Sequence, residues 1–216
     1  MFIGHHATAF ALKPLAPRVS LGTLFAGTLL LDLIWPLLIL LDIEHVRIVP
    51  GITAFTPLDF YNYPITHSLV SVLGWSLAAG LLYWAVRRSA RDAAVVGLAV
   101  LSHWIVDFVA HRPDLPLWPG GPRVGLGLWG SIPGTIVVEV AMFVAGLWLY
   151  LRVTSARDRS GSIALWSLVV FLGIIYVANI TAPPPPSAQA IGWAGLAQWL
   201  FVPWGYWIDR HRQVRT

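Results

Sequence analysis

The sequence predicts an all-α, polytopic integral membrane bundle of about 5–6 transmembrane helices with a short N-terminal re-entrant or interfacial helix. Three observations carry that expectation. Of 216 residues, 57% are hydrophobic and only 11% are charged, whereas a soluble domain carries about 25% charged residues. Mean hydropathy is +0.71. Apolar runs recur at lengths near the roughly 20 residues that a helix needs to cross a bilayer. A soluble all-α bundle is disfavoured by the same composition.

The elements follow in order. Residues 2–12 form an apolar stretch too short to cross, so they are read as a helix tucked against the bundle. Spans are expected at 19–41, 68–86, 92–110, 132–151 and 162–181. A weaker sixth run, 191–208, contains Pro203 and two glycines, and lying along the interface is the alternative for it. No repeat and no separate soluble domain is evident. Residues 1–216 are therefore one membrane domain, with the chemistry-bearing motifs in 4–119 and C-terminal helices in 132–208.

Loop charge orients the set. Arg87, Arg88 and Arg91 lie between the second and third spans, Arg152, Arg157 and Arg159 between the fourth and fifth, and Arg210, Arg212 and Arg215 near the C-terminus. The intervening loops are poorer in Lys and Arg, which places the basic loops and the C-terminus in the cytoplasm. Two long outward loops result, 42–67 and 111–131; the second is rich in Gly and Pro and reads as an ordered cap. Residues 183–186 are four prolines, a stiff spacer. The N-terminus lacks the charged region of a cleavable signal peptide.

Composition also excludes. There is no cysteine, so neither disulfides nor thiolate metal sites are available. The net charge of +4 sits in loops between apolar runs, which is a topology signal and not a nucleic-acid footprint. Many of the twelve Trp fall near span ends, as interfacial anchors do.

Against this apolar background the polar residues stand out. His103 and Asp107, in Leu101-Ser-His-Trp-Ile-Val-Asp107, share one helix face about 5–6 Å apart at Cβ. Asp32 lies in the first span and Glu139 in the fourth. A central acidic residue costs about 2.5–3.5 kcal/mol to insert, so these groups should pair or line a wet cavity. His67 opens the second span and His5 stands in the N-terminal segment. Singly, each has an ordinary structural explanation. Together, His5, His67, His103, Asp32 and Asp107 are a donor set suited to a divalent ion with an open water position. A hydrogen-bonded polar network without metal is the competing reading.

Several of these residues fall in recognisable motifs. Gly4-His5, Asp32 followed by Pro36, Thr66-His67-Ser68, Ser102-His103-x-x-x-Asp107 and Leu117-Trp118-Pro119 resemble the LexA-regulated, membrane-bound, predicted metal-dependent hydrolases. The resemblance covers roughly residues 4–119. It implies a membrane-embedded hydrolase with Zn²⁺ as the expected ion, liganded by His5, Asp32, His67, His103 and Asp107. A lipid-linked ester or phosphoester is the expected substrate. Asp107, Asp32 or Glu139 is then the candidate general base. Arg112 and Arg123 are candidates for gripping a phosphate, against an ordinary solvated role. Two departures stand out. The family's Asp-x-Asp-His-Pro is here Asp32-Leu-Ile-Trp-Pro36, and Asn62-Tyr-Pro-Ile65 replaces His-Arg-Gly before Thr-His-Ser. They imply one metal where relatives hold two, or a lapsed site; His6, His45 and His111 are candidates to compensate.

Two other functions compete. A proton- or ion-coupled transporter or channel also uses intramembrane acids and histidines; a non-catalytic scaffold would use the cluster only to fix the bundle. Beyond the lipid bilayer and a lipid-linked substrate, no partner is expected, and the sequence leaves oligomeric state open.

Overall fold

A computed structural model describes residues 1–215 as ten helices joined by short loops and three two-stranded sheets. Four helices are long and apolar enough to cross a membrane: α5 (Leu69–Arg87), α6 (Ala90–Ala110), α7 (Ile132–Val153) and α8 (Arg159–Thr181). The expected first span is broken. It consists of α2 (Leu21–Thr28) and α3 (Leu30–Leu40), bent by 52° at Leu29. If the bent pair counts as one span the total is five.

The expected sixth run does not form one continuous helix. It is divided into α9 (Ala188–Leu196), a 3-10 turn and α10 (Phe201–Arg210). These pieces match the bent pair: α9 packs on α3 and α10 on α2. The second contact is a close one, since a Cβ on Gly205 would fall 2.7 Å from the backbone nitrogen of Gly22.

Local sequence explains the helix boundaries. Ser20, Ser68, Ser89, Ser131, Asp158 and Ser187 each accept a backbone N–H from the first turn of the helix they precede. Arg88 closes α5 in a left-handed conformation (φ 54°), so α6 returns directly alongside it. Pro36 sits inside α3 and cannot donate to the carbonyl one turn earlier, that of Asp32.

Burial divides the long helices. The apolar stretch of α6 is 61% buried, against 6% for α5, so α6 is the central helix and α5 lies at the periphery. Helix α1 (Ile3–Leu12) packs among α7, α2 and α6 with most of its residues buried. Its approach to α7 depends on Gly146, where a Cβ would lie 2.3 Å from the carbonyl oxygen of Ala7. Lys13, just past α1, donates 2.8 Å bonds to Asp209 and to the Val19 carbonyl.

The start of α5, the end of α6 and the end of α8 meet at the pole opposite the Arg-rich turns. There the 42–67 loop folds as the hairpin β1 (His45–Ile48) and β2 (Leu58–Asn62), followed by a single helical turn, α4 (Pro64–His67). The 111–131 loop carries the short pair β3 (Leu115–Pro116) and β4 (Arg123–Val124). It is tied back onto α6 by the bonds Leu126 N to Phe108 O (2.8 Å) and Gly127 N to His111 O (2.7 Å). At the opposite pole β5 (Thr154–Ala156) pairs with β6 (Arg212–Val214).

Candidate metal centre

Four helices deliver the polar groups to one place. His5 comes from α1, Asp32 from α3, His67 from α4, and His103 and Asp107 from α6. The Asp107 carboxylate is central. Its Oδ1 lies 3.2 Å from His5 Nε2, and its Oδ2 lies 3.1 Å from His103 Nε2 and 3.8 Å from His67 Nε2. Asp32 faces it: Oδ1 is 3.6 Å from His67 Nε2 and 3.7 Å from His103 Nε2, and Oδ2 is 4.0 Å from His5 Nε2. Two overlapping triads, His5–His103–Asp107 and Asp32–His67–His103, each hold their ligating atoms within 4.8 Å of one another.

His67, His103 and His111 are each aimed by what their other nitrogen does, whereas His5 Nδ1 is buried without a hydrogen-bond partner. His103 Nδ1 lies 2.7 Å from the carbonyl oxygen of Thr28, at the end of α2 before the bend. A carbonyl only accepts, so Nδ1 carries the proton and the neutral ring presents a lone pair at Nε2. That Nε2 is buried and has no hydrogen-bond partner. His67 Nδ1 lies 2.7 Å from Thr66 Oγ1, whose hydroxyl donates to Glu44 Oε2 at 2.6 Å. Glu44 is fixed in turn by the backbone N–H groups of Ile65 and Thr66. His111 Nδ1 meets Asp114 Oδ1 at 2.9 Å, and its Nε2 turns to Asp107 Oδ2 at 3.9 Å. Tyr63 donates to Asp114; burial first, and Asp114 beside it, push the phenol well above its usual pKa and keep it a donor. His5 stacks on His103 with ring centroids 3.7 Å apart.

This arrangement fits a divalent cation. Ion-binding histidines characteristically donate their second nitrogen to a carbonyl, hydroxyl or carboxylate, which fixes the tautomer. Here His67, His103 and His111 all do so and turn Nε2 inward. The partnerless, fully buried Nε2 of His103 is a group that such an ion would satisfy. The nitrogen of Met1 lies 2.5 Å from Asp107 Oδ1 and 3.1 Å from His5 Nε2. The buried His/Asp groups could hold a metal ion; which ion is not fixed by the geometry.

The cluster opens into a cavity of about 570 Å³ lined by His5, Asp32, His67, Asp107 and His111 together with aromatic walls that include Trp35, Phe60 and Trp129. Its rim is made by the 50–57 loop and by Pro183–Pro185.

Five sequence candidates are placed elsewhere. Glu139 does not line the cavity; its Oε2 accepts the N–H groups of Ile3 (3.0 Å) and Gly4 (3.3 Å), at the start of α1. Arg112 bridges Asp59 (2.5 Å) and Asp114 (3.1 Å), and Arg123 donates to the Tyr61 carbonyl. Neither arginine lines the cavity. His6 is buried behind the site among Phe2, Phe25 and Phe201, and His45 lies on the hairpin beside Asp42 and Asn62. The sequence reading missed the orienting partners Thr28, Glu44, Thr66 and Asp114. Thr66 and Asp114 had a local signal, at one and three residues from the histidines they hold; Thr28 and Glu44 had none. The chain matches no family model, no curated protein and no solved structure.

Proposed function

We propose that this chain is a metal-dependent hydrolase of the bacterial inner membrane, with its C-terminus cytoplasmic, acting on a lipid-linked ester or phosphoester. The resemblance to the LexA-regulated, membrane-bound, predicted metal-dependent hydrolases is part of the same proposal. One observation carries it: inward-aimed imidazoles and two carboxylates converge at the floor of an open cavity among span-length helices. A structural polar cluster has no need of the cavity.

His5, His67, His103, Asp32 and Asp107 would hold the ion, with Zn²⁺ the expected one given nitrogen and carboxylate donors. Such an ion supplies Lewis-acid activation of water and of a carbonyl or phosphoryl oxygen. The chain's own groups do the rest. Asp107, reached by every imidazole of the cluster, sets their mutual spacing. Asp32, with its side chain 24% exposed, is the carboxylate open to an incoming water and serves as the proton acceptor. Trp35, Phe60 and Trp129 exclude bulk water and seat the apolar part of the substrate.

The test is elemental analysis of the purified protein beside a His103→Ala/Asp107→Ala variant, followed by an ester and phosphoester hydrolysis screen. About one or more Zn²⁺ per chain, lost in the variant together with hydrolysis, supports the proposal. A well-folded wild type without metal, or metal without turnover of any substrate, overturns it.

A further inference from the structure

The cavity is unusual in what it lacks. Its lining includes Asp32 and Asp107 but no Lys or Arg side chain among the described residues. The two nearby arginines are committed elsewhere, Arg112 to Asp59 and Asp114 and Arg123 to the Tyr61 carbonyl. The Met1 nitrogen is taken by Asp107. The polar groups at the rim are neutral: the carboxamides of Asn179 and Gln198.

From this lining we infer that the cavity takes a ligand with an uncharged polar head and an apolar body, an ester or amide and not a phosphate-bearing lipid. The inference rests on the hydrolase reading only for which site reacts. Two ligating carboxylates and neutral imidazoles balance one divalent ion, and the only other cation in the lining among the described residues, the Met1 nitrogen, is already bonded to Asp107. A phosphate head would bring one or two negative charges into a site with no Lys or Arg side chain to meet them, and uncompensated buried charge is strongly unfavourable. Proteins that hold phosphate in such places supply arginine or lysine. An ester carbonyl or amide asks only for hydrogen bonds, which Asn179 and Gln198 can give and accept. The remaining walls suit an acyl chain. Trp35, Phe60 and Trp129 are buried aromatic surface, and about 570 Å³ falls in the usual size range of a small-molecule site.

Binding without turnover tests this. Two radiolabelled probes with the same chain are compared in maltoside micelles, a dodecyl glycerol ether (neutral head, no cleavable bond) and dodecyl phosphate. Each is measured on Zn²⁺-loaded and chelated protein. The ether should bind both forms, and bind the loaded form about tenfold or more tightly than the phosphate. Gln198→Lys, which adds a cation at the half-buried rim, should shift the ratio toward phosphate by about tenfold. Ala54→Trp, at an exposed rim position, should reduce ether binding by narrowing the mouth. Equal or tighter binding of the phosphate to loaded wild type overturns the inference, as does ether binding that Ala54→Trp leaves unchanged. Ether binding with no ester cleavage anywhere would sink the hydrolase reading and leave this one standing.

Discussion

Thr66 carries no charge and would touch no ion, yet the direction of His67 depends on it. Its hydroxyl accepts from His67 Nδ1 and donates to Glu44, a buried relay that fixes which nitrogen faces Asp32. Thr66→Val keeps the shape and removes the relay. Loss of such an orienting partner typically lowers metal affinity about 10–100-fold; competition with a metal-buffering chelator will measure it, and an unchanged affinity would refute the relay. Glu139 has a comparable role at longer range. Glu139→Leu strips the acceptor from two buried N–H groups at about 1–3 kcal/mol each, whereas Glu139→Gln keeps one acceptor oxygen. Thermal unfolding should therefore rank wild type above Gln above Leu, with metal affinity following the same order. At this scale the sequence was legible where chemistry is local, as with His103 and Asp107 one turn apart; Thr66 was missed as a partner although it adjoins His67. Thr28 and Glu139 were opaque as partners. Their bonds are made across 75 and 135–136 residues of chain, and no periodicity encodes them.

The elements that shape the centre are the irregular ones. The bend at Leu29 brings the Thr28 carbonyl to His103 and starts α3 so that Asp32 lies in its first turn. The apolar run through residues 19–41 was readable as a span, but its break was not, because Leu29 is a good helix former and the weakest helix former near it, Gly27, is of a type common within apolar spans. Helix α1 was legible as too short to cross, since length alone decides that. Its docking was not, because the space for it is created by a missing side chain on a distant helix. Gly146→Val should push α1 away from α7 while leaving α7 intact, since valine is tolerated in an apolar helix. The expected result is a bundle of normal size by gel filtration that has lost most of its metal. Full metal content in that variant would mean His5 is not held by this contact.

At the scale of the whole molecule the two poles answer to different conditions. Near the Arg-rich turns, Asp158 caps α8 and faces His211, which lies just before β6. Its carboxyl is held below the usual value, first by the His211 hydrogen bond and next by the Gly161 N–H. A depressed folded pKa gives stability that is present above the unfolded value and lost as pH falls through the folded one. Acidification below about pH 4 should therefore loosen the β5–β6 clasp, seen as faster amide exchange in residues 154–161 and 211–215. Asp158→Asn should bring the same exchange to neutral pH without altering metal content. Chelation should act at the other pole, lowering the melting temperature reversibly with metal concentration; ion at 1,000 times its Kd is worth about 4 kcal/mol. A melting temperature indifferent to chelator would argue against an ion in the folded state. The class of the molecule was legible because composition and run length report it directly. The folding of the last run into α9 and α10 was hidden, since the bend of α2–α3 that they pack against was hidden too.

The half-length of α1 also bears on how the protein is made. Ten residues rise about 15 Å, half the roughly 30 Å of a hydrocarbon core. Such a segment cannot be threaded across by itself, and its His5 and His6 would be poorly accommodated by lipid alone. Its resting place is built by residues that leave the ribosome much later: Val106 and Asp107 on α6, then Glu139 and Gly146 on α7. A helix made before α6 and α7 thus settles only after them. A nascent chain arrested before α7 would hold His67, His103 and Asp107 already in the membrane but lack the wall that seats His5. On the proposed metal reading, ion capture by the complete set would belong to a post-insertion stage, and a pulse-chase of metal uptake should lag behind membrane integration.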